Sequence, residues 1–205
     1  MSRLKDRRSR HDDFYRRAQK QNYASRAIFK LQEADKRFHL FSKGQRVLDL
    51  GCWPGSWSQY AAKRVGVKGT VVGIDLKEVE VTLPRNVLTV VGDILETDPL
   101  ELQEMAGGAF DVVISDMAPN TTGIRSADVS RSLQLLETVL EVTQAVLRPG
   151  GHFIAKVFQG SGFDEALLDV KNRFKKTKNL RPKGTRKASM ELYLVGLGKR
   201  SEPLS

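Results

Sequence analysis

The sequence holds a single cysteine, Cys52, so no disulfide can form within the chain, which fits a reducing compartment. Its three histidines, His11, His39 and His152, are scattered, and no His/Cys/carboxylate cluster stands at metal-ligand spacing. No apolar run approaches the roughly 18 residues of a spanning helix, and the N-terminus is basic with no apolar signal core. These absences predict a soluble, cytoplasmic protein without a resident metal or a membrane partner. Two phosphate-binding patterns are missing as well: neither G-x-G-x-x-G nor the P-loop G-x-x-x-x-G-K-[ST] occurs.

What the sequence has in excess is positive charge. A formal net charge of +10 over 205 residues exceeds what solubility requires and points to a polyanionic partner, nucleic acid first and an anionic membrane second. The length predicts one domain with a real core. Residues 1–22, with Arg3, Lys5, Arg7, Arg8, Arg10, Arg16, Arg17 and Lys20, read as a basic arm able to track phosphates. Residues 23–199 then form the domain, and 200–205 a short tail.

The stretch Val47 to Gln59, VLDLGCWPGSWSQ, organises that domain. Val47, Leu48 and Leu50 read as a buried strand, Gly51 and Gly55, with Asp49 just before them, as a turn where backbone closely approaches a ligand, and Ser56 onward as a helix. Before it, Ala27, Leu31, Ala34 and Phe38 fall on one helical face, with Lys30 off the stripe. After it, strands are predicted over Thr70 to Ile74, Val87 to Val91 and Phe110 to Ser115, tipped by Asp75, Asp93 and Asp116. In parallel sheets the carboxyl ends of strands form the ligand crevice, and an acidic residue at the second strand suits a ribose diol. A polar loop is predicted from Met117 to Ser130, and a helix from Arg131 stopped by Pro149-Gly150-Gly151. A strand follows from Phe153 to Phe158 with Lys156 in apolar surroundings. Next come a helix from Gly162 to Lys176, a short strand at Leu180, a basic loop Arg181 to Ser189, and a last strand from Met190 to Leu197. Alternating strands and helices predict a doubly wound, mainly parallel α/β sheet, with an antiparallel hairpin at one edge.

A glycine turn, Asp75 for a ribose, Asp93 for a polar ring edge and no phosphate clamp suit an adenosine without phosphates, and S-adenosylmethionine is the common cofactor of that description. The segments VLDLGCWPGSWSQ, SDMAPN and IAKVFQG, in this order and spacing, resemble the FtsJ/RlmE family of ribosomal RNA ribose 2′-O-methyltransferases from about Gln21 to Lys199. The resemblance implies a class I methyltransferase, Rossmann-like, with S-adenosylmethionine contacted by Gly55, Trp57, Asp75, Asp93 and Asp116, alongside Asp49 and Gly51 of the turn. It also implies a catalytic group of Lys30, Asp116, Lys156 and Glu191, and a substrate uridine of 23S ribosomal RNA in the large subunit, modified by a monomer. The family turn often reads D-L-G-A-A-P-G-G-W, so Cys52, Trp53 and Ser56 depart from it by adding bulk.

Read singly, each of these residues has an ordinary role. Lys30 is a solvated helix lysine, Lys156 a snorkelling strand-end lysine, Glu191 a hairpin carboxylate, and Trp53 and Trp57 are core or a stacking surface. Together they suit ribose methylation, which needs a hydroxyl aligned with an activated methyl and a base to take its proton. Lysine serves as that base only when neutral, which desolvation and a second cation favour. Asp116 is expected to orient Lys156, with Lys30 and Glu191 holding the network and the substrate. The alternatives are a transfer RNA or messenger RNA cap 2′-O-methyltransferase and, from another class, a non-catalytic RNA-binding assembly factor.

Overall fold

In the computed structural model of the chain, which describes residues 16–18, 20–183, 185 and 189–203, helix α1 (Ile28–Phe38) leads into strand β1 (Arg46–Leu50). Helix α2 (Ser56–Val65), β2 (Thr70–Asp75) and β3 (Val87–Val91) follow. Then come α3 (Pro99–Met105), β4 (Phe110–Ser115) and α4 (Arg125–Val146). The chain continues through β5 (Leu147–Phe158), α5 (Phe163–Arg173), β6 (Phe174–Leu180) and β7 (Glu191–Lys199). One seven-stranded sheet carries the strands in the order β3-β2-β1-β4-β5-β7-β6. The first five strands in that order run parallel, whereas β7 is antiparallel to both β5 and β6.

The period-two alternation of strands sorts the core into two layers. Val47, Val71, Val112, Ile114, Ile154 and Tyr193 pack with Leu31 and Ala34 of α1 and Trp57 and Ala61 of α2. Leu48, Leu50, Val72, Val113, Phe153 and Ala155 face the other way, onto Leu102 of α3, Leu136 and Leu140 of α4 and Val170 of α5. The expected doubly wound α/β sheet with an antiparallel edge hairpin is therefore the observed fold. Strand order reverses between β1 and β4, and the crevice at their carboxyl ends is where such sheets bind ligands. Among the described residues, no helix is long and apolar enough to cross a membrane.

Several boundaries differ from expectation for identifiable reasons. Helix α4 starts at Arg125 rather than Arg131, because the buried Asp128 carboxylate accepts from Thr122 N at 2.7 Å, Thr122 Oγ1 at 2.9 Å and Gly123 N at 3.2 Å. These bonds hold the Asp128 carboxyl below its ordinary pKa and fix a first turn whose polar sequence shows no stripe. The expected loop accordingly shrinks to residues 117–124. Strand β5 runs through Pro149-Gly150-Gly151, with a register shift between Phe110 and Val112 on its neighbour. Helix α5 ends at Arg173, and Phe174 to Leu180 becomes the edge strand with both end residues buried. Helix α3 is marked in the sequence by Asp98-Pro99: the Asp98 side chain caps Leu100 N, and proline takes the first turn.

The basic arm lies mostly outside the described residues, Arg3, Lys5, Arg7, Arg8 and Arg10 included. From residue 16 the chain is already packed: Ala18 is buried, and the Arg17 guanidinium lies 5.0 Å from the centroid of the Phe29 ring.

Candidate active site

Three strand ends build one half of the crevice. Asp49 of β1 is fully buried, and its Oδ2 accepts from Ser58 Oγ at 2.6 Å while Oδ1 has no partner. Burial pushes its carboxyl up to about 7, a shift that the Ser58 hydrogen bond opposes and the nearby Asp116 and Asp75 reinforce. Asp75 at the tip of β2 accepts Trp53 N–H on Oδ2 at 2.9 Å and Lys77 N–H on Oδ1 at 3.0 Å. Asp93, after β3, accepts Leu95 N–H on Oδ1 at 2.9 Å. Each of these two carboxylates is thus fixed by backbone, with acceptor capacity remaining for a ligand.

The turn between β1 and α2 depends on two glycines at positive φ, Gly51 at 78° and Gly55 at 107°. A Cβ on Gly55 would sit 2.9 Å from Val79 and 3.1 Å from Val81, so the crevice wall closes on this backbone. The three unusual turn residues each have a place. Cys52 is buried against Gly73, where a Cβ would come within 2.9 Å of its sulfur, and burial raises its thiol pKa far from the reactive range. Ser56 is helical, leaving the left-handed position to Gly55, and its Oγ bonds Ser25 Oγ at 2.8 Å. Trp53 is 48% exposed, and the Lys77 ammonium stands 4.6 Å from its ring centroid. The Trp57 indole turns inward instead, donating to Ala27 O at 3.0 Å and packing on Tyr193. It can therefore meet a crevice ligand only through its helix-N-terminal N–H.

The other half comes from β4, β5, β7 and α1. Lys156 donates to both the backbone oxygen and Oδ1 of Asp116, the latter at 3.0 Å. Lys30 pairs with Glu191 at 2.8 Å. The four residues expected to act together are thus brought together as two ion pairs. Between them stands Tyr193, which the sequence reading did not single out. Its hydroxyl donates to Asp116 Oδ1 at 2.6 Å, and the Lys30 ammonium lies 5.6 Å from its ring centroid. Tyr193 is the register partner of Lys156, and Glu191 precedes it by two positions on the same strand face. The spacing Glu191-x-Tyr193 puts both on one face of a strand that starts at the crevice, but only the register with Lys156 shows the meeting. Burial and the neighbouring carboxylates raise its phenol pKa, so it remains a donor.

Lys30 is positioned by the packing of α1 on α2. Buried Asp35 accepts from Tyr60 Oη at 2.8 Å and Phe41 N at 3.3 Å, and pairs with Arg64 at 2.6 Å. A second link, Lys183 N–H to Glu33 Oε2 at 3.0 Å, fastens α1 to the segment entering β7.

A model of the FtsJ-like methyltransferase family matches residues 23–199. The chain belongs to this family. It is 46% identical over 186 residues to the ribosomal RNA large subunit methyltransferase E of Syntrophobacter fumaroxidans, covering 91% of this chain and 94% of the relative. With the protein of the same name from Desulfatibacillum aliphaticivorans it shares 47% over 189 residues, or 92% and 91% of the two chains. Among solved structures, a ribosomal RNA methyltransferase of Plasmodium falciparum superposes with a TM-score of 0.76 at 28% identity, covering 86% of this chain and 98% of that one.

An FtsJ-like methyltransferase requires a methyl donor, and the crevice fits one on its own terms. The unpartnered, buried Asp49 Oδ1 at the carboxyl end of β1 is a feature that a ligand would satisfy.

Proposed function

We propose that the chain transfers a methyl group from S-adenosylmethionine to a ribose 2′-hydroxyl in large-subunit ribosomal RNA, the acceptor being a uridine of 23S RNA. It would do so as a cytoplasmic monomer. One observation carries this reading: the Lys156–Asp116 and Lys30–Glu191 pairs, joined by Tyr193, flank a crevice tipped by three aspartates and bearing no phosphate clamp. The names of the relatives and the +10 charge support an RNA substrate.

Gly51, Gly55 and the Trp57 N–H would hold the methionine end of the cofactor, with Asp49 and Asp116 offering acceptors to its ammonium. Asp75 would take the ribose hydroxyls and Asp93 an adenine amino group. When bound, the sulfonium supplies an electrophilic methyl.

The proton chemistry falls to Lys156. The ammonium of the ion pair must first give up one proton to act as a base; the amine so formed has two N–H bonds and one lone pair, and its two N–H bonds can stay on the Asp116 backbone oxygen and Oδ1. The lone pair is therefore left to receive the 2′-hydroxyl proton as the oxygen attacks. Asp116 orients the amine, Tyr193 fixes Asp116, and Lys30 with Glu191 borders the substrate. The loop Arg181 to Ser189 would grip RNA phosphates, although Arg186 and Lys187 lie outside the described residues.

Radiolabelled methyl transfer to large subunits from a strain lacking the enzyme, followed by mass mapping of methylated riboses, tests this. Lys156→Ala is expected to bind cofactor and RNA normally and to slow transfer by about 10²–10⁴. A near wild-type rate would remove Lys156 as the base. Label appearing only in transfer RNA would move the substrate.

A further inference from the structure

Beyond Glu191 the β5–β7 ladder opens into a second cleft that the methyl-transfer chemistry does not use. Gln159 N–H donates to Met190 O at 2.8 Å, so the cleft starts one residue past the Phe158 and Glu191 register pair. Arg125, Gln159, Phe163, Asp164, Arg181 and Met190 line it, and it encloses about 530 Å³, within the ~300–1,000 Å³ of small-ligand sites. At about 3.3 Å per strand residue, its near wall stands roughly 10 Å along β5 from Lys156.

We propose that this cleft is the subsite for an unpaired nucleotide flanking the methylated ribose, an inference that rests on the RNA methylation reading. Its lining matches the parts of a nucleotide. Arg125 and Arg181 supply two guanidinium forks, the groups suited to phosphate. Among the described residues neither forms an ion pair, although the Asp164 carboxylate shares the cleft with them. Arg181 has only a 3.4 Å contact to Gln159 Oε1. Arg125 moreover occupies the first position of α4, where a cation opposes the helix dipole, so its placement is unfavourable for the helix alone. Asp164 and Gln159 offer an acceptor and an amide to the polar edge of a base, while the repulsion of Asp164 steers the phosphate toward the arginines. Unstacked, single-stranded nucleotides are the form in which RNA presents base edges to a protein.

The test is steady-state methyl transfer to large-subunit RNA from a strain lacking the enzyme, together with anisotropy of a short fluorescent single-stranded RNA across a salt series. Arg125→Gln and Arg181→Gln are each expected to raise KM for RNA about tenfold with kcat and cofactor affinity unchanged. Each should also flatten the salt slope by about 0.7. Asp164→Asn and Gln159→Ala should raise KM without changing the slope. A double arginine variant with wild-type KM and slope overturns the subsite, as does one whose loss falls on kcat or cofactor affinity, because that marks a structural role. Failure of the wild type to methylate or bind any RNA overturns the functional reading instead.

Discussion

Replacing Asp49 by asparagine should stabilise the protein, and by an amount set by pH. Burial pushes the native carboxyl up to about 7 from its ordinary 3.8, so between those values the folded state binds more protons than the unfolded one. Stability therefore falls as pH rises through this window and is flat above it. Each pH unit inside the window is worth about 1.4 kcal/mol. From pH 5 to pH 8 the Asp49 contribution declines by about 3 kcal/mol, all of it within the two units below the native pKa. Asparagine has the same shape, can accept the Ser58 hydrogen bond and carries no charge to desolvate. Its advantage over the wild type should be about 3 kcal/mol larger at pH 8 than at pH 5, or roughly 6–12 °C in Tm for a chain of this size. Urea melts of both proteins at the two pH values, without cofactor, measure this directly. Equal pH slopes for wild type and Asp49→Asn would refute the assignment of that charge penalty to this carboxylate. If the cofactor ammonium meets Asp49, saturating S-adenosylmethionine should reduce the asparagine advantage at pH 8, because the wild-type carboxylate gains a counter-ion that the amide lacks.

Tyr193→Phe removes the hydroxyl from Asp116 but keeps the ring beneath Lys30 and against Trp57; methyl transfer should fall about tenfold and stability by about 1–3 kcal/mol, with cofactor affinity retained. Titration calorimetry showing a parallel loss of cofactor binding would instead make Tyr193 part of the cofactor half. Asp35→Ala breaks the joint between α1 and α2 and should destabilise by roughly 2–3 kcal/mol, below the ~3–5 of a fully buried pair because Arg64 stays 43% exposed. Its RNA KM should rise more than its cofactor Kd, since Lys30 is what α1 delivers; equal changes in both would contradict that division.

The sheet and its acidic strand tips were legible because they follow from short-range rules. Runs such as VVGID and DVVIS alternate between two buried layers, and a carboxylate closes each strand. Asp116 and Lys156 stand in two of the three motif segments, and the family resemblance added Lys30 and Glu191 as expectations; the fold brings all four together as two ion pairs. What escaped depended on specific side-chain partners rather than on apolar periodicity. The beginning of α4 is decided by Asp128 reaching back to Thr122 and Gly123, and no apolar stripe announces it. Trp57, an expected cofactor contact, turns its indole to Ala27 O and the Tyr193 ring, which leaves its backbone N–H as the group for that contact. Tyr193 itself reads as one more aromatic in a buried strand, and only its register against Lys156 shows that it joins the two ion pairs.

The Lys30–Glu191 pair joins a helix that precedes the sheet to the first residue of its last strand, and Lys183–Glu33 spans 150 residues beside it. The ion pair is thus a clasp between a helix packed outside the sheet and a strand held on both sides by β5 and β6. Peripheral segments open at lower free energy than the middle of a sheet. Loosening of α1 would therefore open the clasp while the sheet persists. Activity should accordingly vanish at a lower urea concentration than the far-ultraviolet circular dichroism signal, and coincident midpoints would show that the clasp opens only with the whole sheet.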